Sequence, residues 1–416
     1  MVQPSKGFVW GYAVESALGT PGTYYEIRPN DFPAFPTSTR QLIANPNMGH
    51  AHAYNQSDKP IAIEQYQEGA GTFAQNIRRA SANNAAAPIA AIFESAGCNV
   101  TTSTGDQTIT YSSTTAWDVS DAAHGQCGLL ELNSGVYYPV LVADYTTGTV
   151  TPSMAIPSVS STGKAWQLMT TIWPRSRQVA TDATLAFEHH SRATHTSGED
   201  LHYIYTGCAL SAVGDMTIEP FGTPALEFTF HVGDVDQANE AIAAESFVDG
   251  EKFAIINDDF RFEYANADSA GGITRGDGIL TSAVITWGFE TAVIPGEGSG
   301  TFNGAQGYMH RVAVPKVAIT QTFTKDYWTQ LEGDNTSKYI GLVQPTRSLS
   351  TPAFGFWMPN AHIDPETPPT VDWATNDFVT ATVTYIADSA GYESATTNAD
   401  AGAAPWYFAI SGQYSA

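Results

Sequence analysis

Residues 225–232, ALEFTFHV, alternate without a break: Leu226, Phe228, Phe230 and Val232 fall on one side, Glu227, Thr229 and His231 on the other. Side chains of an extended chain point to opposite faces in turn, so a period of two describes a strand with one apolar face. Two further stretches repeat the pattern. ILTSAVITWGF puts Ile279, Ala283, Ile285, Trp287 and Phe289 together, and DFVTATVTYIA sets Val379, Ala381, Val383 and Tyr385 against a row of Thr. Such strands need a second layer over their apolar faces, which predicts a mainly β fold of sandwich or barrel type. Composition agrees, because charged residues are only 14% and the surface must be built from Ser, Thr, Asn, Gln and Gly.

Helices are expected in few places. In PIAAIFESAGC, Pro88 suits a first helical position, Ile89, Ile92, Phe93 and Ala96 share a face, and Gly97 offers a left-handed stop. A second short helix is expected after the strand of Val317, Ile319 and Phe323, with Thr324 as its cap, Trp328 packed on Phe323 and Gly333 at its end. At 416 residues, two domains of roughly 200 residues each are expected. KPIAIEQYQEGAG before the Pro88 helix echoes HRVAVPKVAITQTF before the Thr324 helix, which suggests two copies of one fold. The polar stretch at 233–245 marks the boundary, giving β domains at 1–236 and 237–416, each with a short flanking helix. Segments 146–163, 295–307 and 360–377 read as long loops.

Asp and Glu number 42 against 18 Lys and Arg, a net charge of −24 that opposes any grip on nucleic-acid phosphates. The Met-Val-Gln-Pro start lacks a basic region before an apolar stretch, and no run approaches the about 20 apolar residues of a membrane helix, so a soluble protein made in the cytosol is expected. Cys98, Cys127 and Cys208 form no Cys-x-x-Cys pair and read as buried free thiols.

The richest cluster of candidate ligands is FEHHSRATHTSGEDLH, with His189, His190, His195, Glu199, Asp200 and His202. As a strand, TLAFEHHS sends His189 and His190 to opposite faces, which makes joint ligation of one ion awkward, so a polar hairpin is preferred to a metal site. Arg275-Gly276-Asp277 spells an adhesion tripeptide inside a Gly-rich turn, and PGEGSGTFNGAQG lacks the Lys-Ser/Thr of a phosphate loop. Asp258 with Asp259, and Glu64 with Glu68, are formal acid–base candidates without any sign of convergence. Trp287, Trp328 and Trp357 suit a core better than a sugar platform. No catalytic, cofactor-binding or metal-binding residue is therefore assigned, and no cofactor is expected.

Three stretches carry a family resemblance: SDKPIAIEQYQEGAGTFAQNIRRASA with APIAAIFESAGC; HYIYTGCALSAVGDMTIEPFGTPALEFTFHVGDVD; and GYMHRVAVPKVAITQTFTKDYWTQL with TPAFGFWMPNAHI and DFVTATVTYIA. In order and texture the chain resembles the tail tube, or major tail, proteins of long-tailed bacteriophages. The resemblance implies a non-enzymatic virion protein, made in the host cytoplasm, that assembles with itself into trimeric or hexameric rings. Stacked rings would form the hollow tail tube through which the genome passes without specific binding. Tape-measure and tail-terminator or tail-tip proteins would be its other partners. On this reading the 316–323 strand offers an edge to the neighbouring subunit. The alternatives are a secreted β-sandwich carbohydrate-binding module or hydrolase, or another virion component such as a capsid decoration or adhesion protein.

Overall fold

The computed structural model describes residues 8–36, 40–44, 62–66, 69–80, 88–101, 107–111, 126–132, 135–146, 149–152, 164–175, 184–191, 199–241, 251–254, 260–266, 274–275, 280–295, 305–311, 313–322, 337–347, 353–373, 379–388 and 404–411. The chain is mainly β, as its alternating stretches require. An eight-stranded antiparallel sheet runs in the order Thr20–Pro21, Phe8–Ala17, Leu185–Ser191, Glu199–Val213, Ala225–Val232, Gly69–Asn76, with Tyr25–Ile27 and Asp234–Ala241 attached. The 15-residue strand Glu199–Val213 holds this sheet together, because one part pairs with Leu185–Ser191 and Asp234–Ala241 and the other with Ala225–Val232.

A twelve-stranded sheet follows the path Met216–Ile218, Leu280–Thr286, Lys316–Thr322, Thr380–Ala387, Phe354–Ile363, Lys338–Gln344, Arg261–Asn266, Thr274–Arg275. Tyr407–Ile410 pairs with both Phe354–Ile363 and Thr170–Pro174, and Thr170–Pro174 also pairs with Cys98–Thr101. Between those last two paired strands the chain leaves the sheet to build a closed barrel of Gln107–Tyr111, Gln126–Glu131, Tyr137–Thr146, Thr149–Pro152 and Lys164–Leu168. The barrel is thus an excursion from adjacent strands of the sheet.

Residue alternation shows how these parts are layered. In Ala225–Val232 the four apolar side chains are buried and their neighbours are not, so one face meets the core. Lys338–Gln344 is buried along its whole length, which requires cover on both faces. Ile340 and Leu342 join the core shared by the two sheets, whereas Tyr339 and Val343 join a second core with barrel residues Leu129, Leu130 and Val140. The same split separates Phe354, Phe356 and Met358 from Trp357, and Phe408 and Ile410 from Tyr407 and Ala409. Part of the large sheet therefore lies between the small sheet and the barrel. Tyr138 of the barrel donates its hydroxyl hydrogen bond to the buried carboxylate of Glu263 on the sheet.

The helix Pro88–Glu94 is present and buries Ile89, Ile92 and Phe93 in the main core, with Gly97 at φ 79° where the helix ends. The helix expected after Thr324 lies outside the described residues. The 236/237 division falls within Asp234–Ala241, and the large sheet takes strands from both sides of it. The two echoing strands occupy different settings: Ala62–Tyr66 pairs with Arg40–Ala44 in a two-stranded sheet, and Lys316–Thr322 lies inside the large one.

Two expectations need correction. Lys316–Thr322 is not an edge, since Leu280–Thr286 pairs along one side and Thr380–Ala387 along the other, leaving no free ladder for a neighbour. The 360–377 segment is not one long loop either. Phe354–Ile363 extends into it, and after a turn held by Asp364, Thr370–Asp372 rejoins the sheet beside Thr380–Ala387.

Candidate functional site

The small sheet gathers a group of potential ligands that the linear order of the sequence conceals. Glu188 and His190 are two apart on one strand and so share a face; His202 lies directly across from His190 in the hairpin register. The Nε2 atom of His202 is 2.8 Å from Oε1 of Glu188, and Nε2 of His190 contacts the same oxygen. The two imidazole rings stack with centroids 3.9 Å apart. One ligand atom from each residue lies within 4.8 Å of the others, a spacing compatible with a shared metal ion. The group is enclosed, with side-chain exposures of 12% for Glu188, 1% for His190 and 3% for His202. Burial alone would raise the Glu188 carboxyl, but hydrogen bonds and positive charge from His190 and His202 bring it down to about 2.

His189 points the other way, as alternation predicts. Its ring stacks on Trp10 at 5.0 Å and meets the edge of Phe32 at 5.2 Å, on the core side of the sheet. Burial, followed by the charges of His190 and His202, lowers its pKa to about 4. The sequence reading placed these two histidines correctly on opposite faces. It missed Glu188, whose signal is its i, i+2 relation to His190, and it could not see that His202 pairs opposite. His195 lies outside the described residues, and Glu199 and Asp200 are located by backbone only, at the start of Glu199–Val213.

A second buried carboxylate sits at an irregularity of the same sheet. The register shifts between Leu185 paired with Cys208 and Phe187 paired with Tyr205. Glu15 fills that place, accepting hydrogen bonds from Gly207 N–H at 2.9 Å, from Gly19 N–H at 3.1 Å and from the Thr184 hydroxyl. Burial raises its pKa against the opposing effect of these donors. Its hydrogen bonds serve the strand's change of partner, so it reads as structural.

The remaining candidates separate cleanly. Cys98, Cys127 and Cys208 are free and buried. Trp287 and Trp357 are completely buried and unable to stack on a sugar. Arg275 pairs across from Glu263, while Gly276 and Asp277 fall outside the described residues. Asp258, Asp259, Glu68 and Trp328 also fall outside them, and Glu64 is placed by its strand backbone alone. Of PGEGSGTFNGAQG, 296–304 lie outside the described residues; the flanking strands Thr291–Pro295 and Ala305–His310 pair antiparallel with each other.

The surface carries a different kind of signal. Phe221 is 81% exposed, Trp373 71% and Phe32 58%. Phe221 also has φ 62°, the only positive value of a non-glycine residue among those described. It occupies the third position of the turn Glu219-Pro220-Phe221-Gly222, closed by Gly222 N–H to Glu219 C=O at 3.0 Å, where glycine is normally favoured. Among the described residues, Asp234–Ala241 pairs only with Glu199–Val213, and Thr370–Asp372 only with Thr380–Ala387. Trp373 directly follows the latter edge.

No helix of the described residues is long and apolar enough to cross a membrane. No protein-family model matches the chain, and no curated protein matches it.

Proposed function

We propose that this chain is a structural virion protein that assembles with itself into stacked rings, forming the tail tube of a long-tailed bacteriophage. The observation that carries the reading is an exposed aromatic side chain held in an unfavourable conformation. A left-handed Phe costs about 1–2 kcal/mol, and a residue 81% exposed returns little of that by burial within its own subunit. Contact with a second subunit would return it. Asp234–Ala241 and Thr370–Asp372, each paired with a single strand among the described residues, offer a complementary mode of association, because a neighbouring strand could extend a sheet across a subunit boundary there. They replace Lys316–Thr322 as candidate assembly edges.

The net charge of −24 suits a conduit that must let DNA pass, since a lumen rich in Lys or Arg would retain phosphates. On this reading the protein acts through geometry and repetition rather than catalysis. Tape-measure and tail-terminator proteins would meet the same ring surfaces at the tube ends.

Phe221→Gly tests the role of the turn with opposite signs for stability and assembly. Relief of the backbone strain should leave subunit stability unchanged or higher by up to about 1 kcal/mol in denaturant unfolding. Sedimentation velocity should show the same variant requiring at least tenfold higher protein concentration to assemble. Assembly at the unaltered concentration would remove Phe221 from the interface.

A further inference from the structure

We propose that Glu188, His190 and His202 form a binding site for one divalent transition-metal ion, with zinc the best chemical match. The inference is independent of the assembly reading, because it rests on a constellation within one subunit.

Three features support it. First, the donor set is two imidazole nitrogens and one carboxylate oxygen, the ligand types that borderline cations such as zinc select over the all-oxygen sets of calcium and magnesium. Second, the set is built on a scaffold instead of a loop. Glu188 and His190 stand on one strand, and His202 is held opposite by the ladder that runs from Phe187 paired with Tyr205 to Ser191 paired with Leu201. On the other flank Gly11 pairs with Glu188 and brings no side chain to crowd the carboxylate. Third, the groups already converge. Both Nε2 atoms address a single oxygen, Oε1 of Glu188, although a carboxylate has two.

The distances show what must move. Tetrahedral ligands about 2.0–2.1 Å from zinc lie about 3.4 Å from one another. His202 Nε2 and Glu188 Oε1 are 2.8 Å apart and must separate by about half an ångström. Nε2 of His190, closer to the same oxygen, must withdraw further, and one of the two stacked rings must turn out of the stack so that both in-plane lone pairs meet at the ion. Binding replaces the hydrogen bonds on Oε1. Each Nε2 then presents its lone pair to the metal, its proton either moving to Nδ1 through the other tautomer or passing to solvent. A water molecule completes the fourth position.

Enclosure gives the ion a structural role. It would tie Leu185–Ser191 to Glu199–Val213 within the stretch that also pairs with Asp234–Ala241, where His202 lies across from Ala238, fixing the hairpin from the face opposite Trp10 and His189.

The test uses the untagged full chain, depleted of metal by chelator and dialysed. Zinc titration followed by elemental mass spectrometry should give one equivalent per chain and a concentration-dependent rise in melting temperature. Cobalt should give the visible absorption of a four-coordinate site. His202→Asn and His190→Asn should each weaken zinc binding at least tenfold, whereas His189→Phe, altered on the opposite face, should retain it. Should the asparagine variants fail to fold, zinc-edge X-ray absorption of the unaltered chain decides. Two imidazoles with oxygen ligands support the site, and sulfur or all-oxygen coordination overturns it. Absence of a zinc equivalent, or undiminished binding in folded His190→Asn and His202→Asn, likewise overturns it.

Discussion

Gly355 illustrates how single residues set the junction between the large sheet and the barrel. A Cβ there would lie 2.1 Å from Cη2 of Trp357, whose indole covers the glycine along the same strand face. Gly355→Ala must therefore displace a fully buried tryptophan, and denaturant unfolding should show a loss of about 1–3 kcal/mol. His310 provides a second test through pH. Burial, then the charges of Arg175 and His231, lowers its pKa to about 4, and its Nδ1 lies 2.8 Å from the Thr291 hydroxyl. The fold favours the neutral ring, whereas an unfolded chain takes up the proton near 6.5. Stability from this residue is complete above about pH 6.5 and declines as pH falls toward 4. The decline should reach about 2 kcal/mol between pH 7 and pH 5. Unfolding curves across that range should show at least this slope, and His310→Asn should reduce it by about that amount, leaving the share of His189, whose pKa is lowered likewise.

Strands define the next scale, where pairing matters more than side-chain identity. Ile319 is fully buried and its strand is paired on both sides, so Ile319→Pro removes a backbone donor from the interior of the sheet. The variant should fail to fold, seen as loss of β circular dichroism. Folded but dispersed subunits would instead restore that strand as an assembly edge. The distinction shows what could be read from sequence. Alternation in ALEFTFHV located both strand and buried face, because periodicity is local. Whether a strand is central or at an edge depends on distant partners, as Lys316–Thr322 shows by pairing with Thr380–Ala387. The same limit hid the Glu188–His190–His202 group: local alternation separated His189 from His190, but only hairpin register brings His202 across. Strands buried on both faces, such as Lys338–Gln344, lack the alternating signal altogether and therefore concealed the third layer.

At the scale of the molecule, the described residues of the two large sheets and the barrel pack into two cores, while Phe221 and Trp373 stand exposed. A subunit with a net charge of −24 repels its copies, so association must come from such local contacts and should strengthen as salt screens the repulsion. Negative-stain electron microscopy of the purified full chain, over a range of protein and salt concentrations, tests the central proposal most directly. The account predicts rings or hollow tubes of one rotational symmetry, increasing with concentration. Uniform monomers under every condition would contradict it.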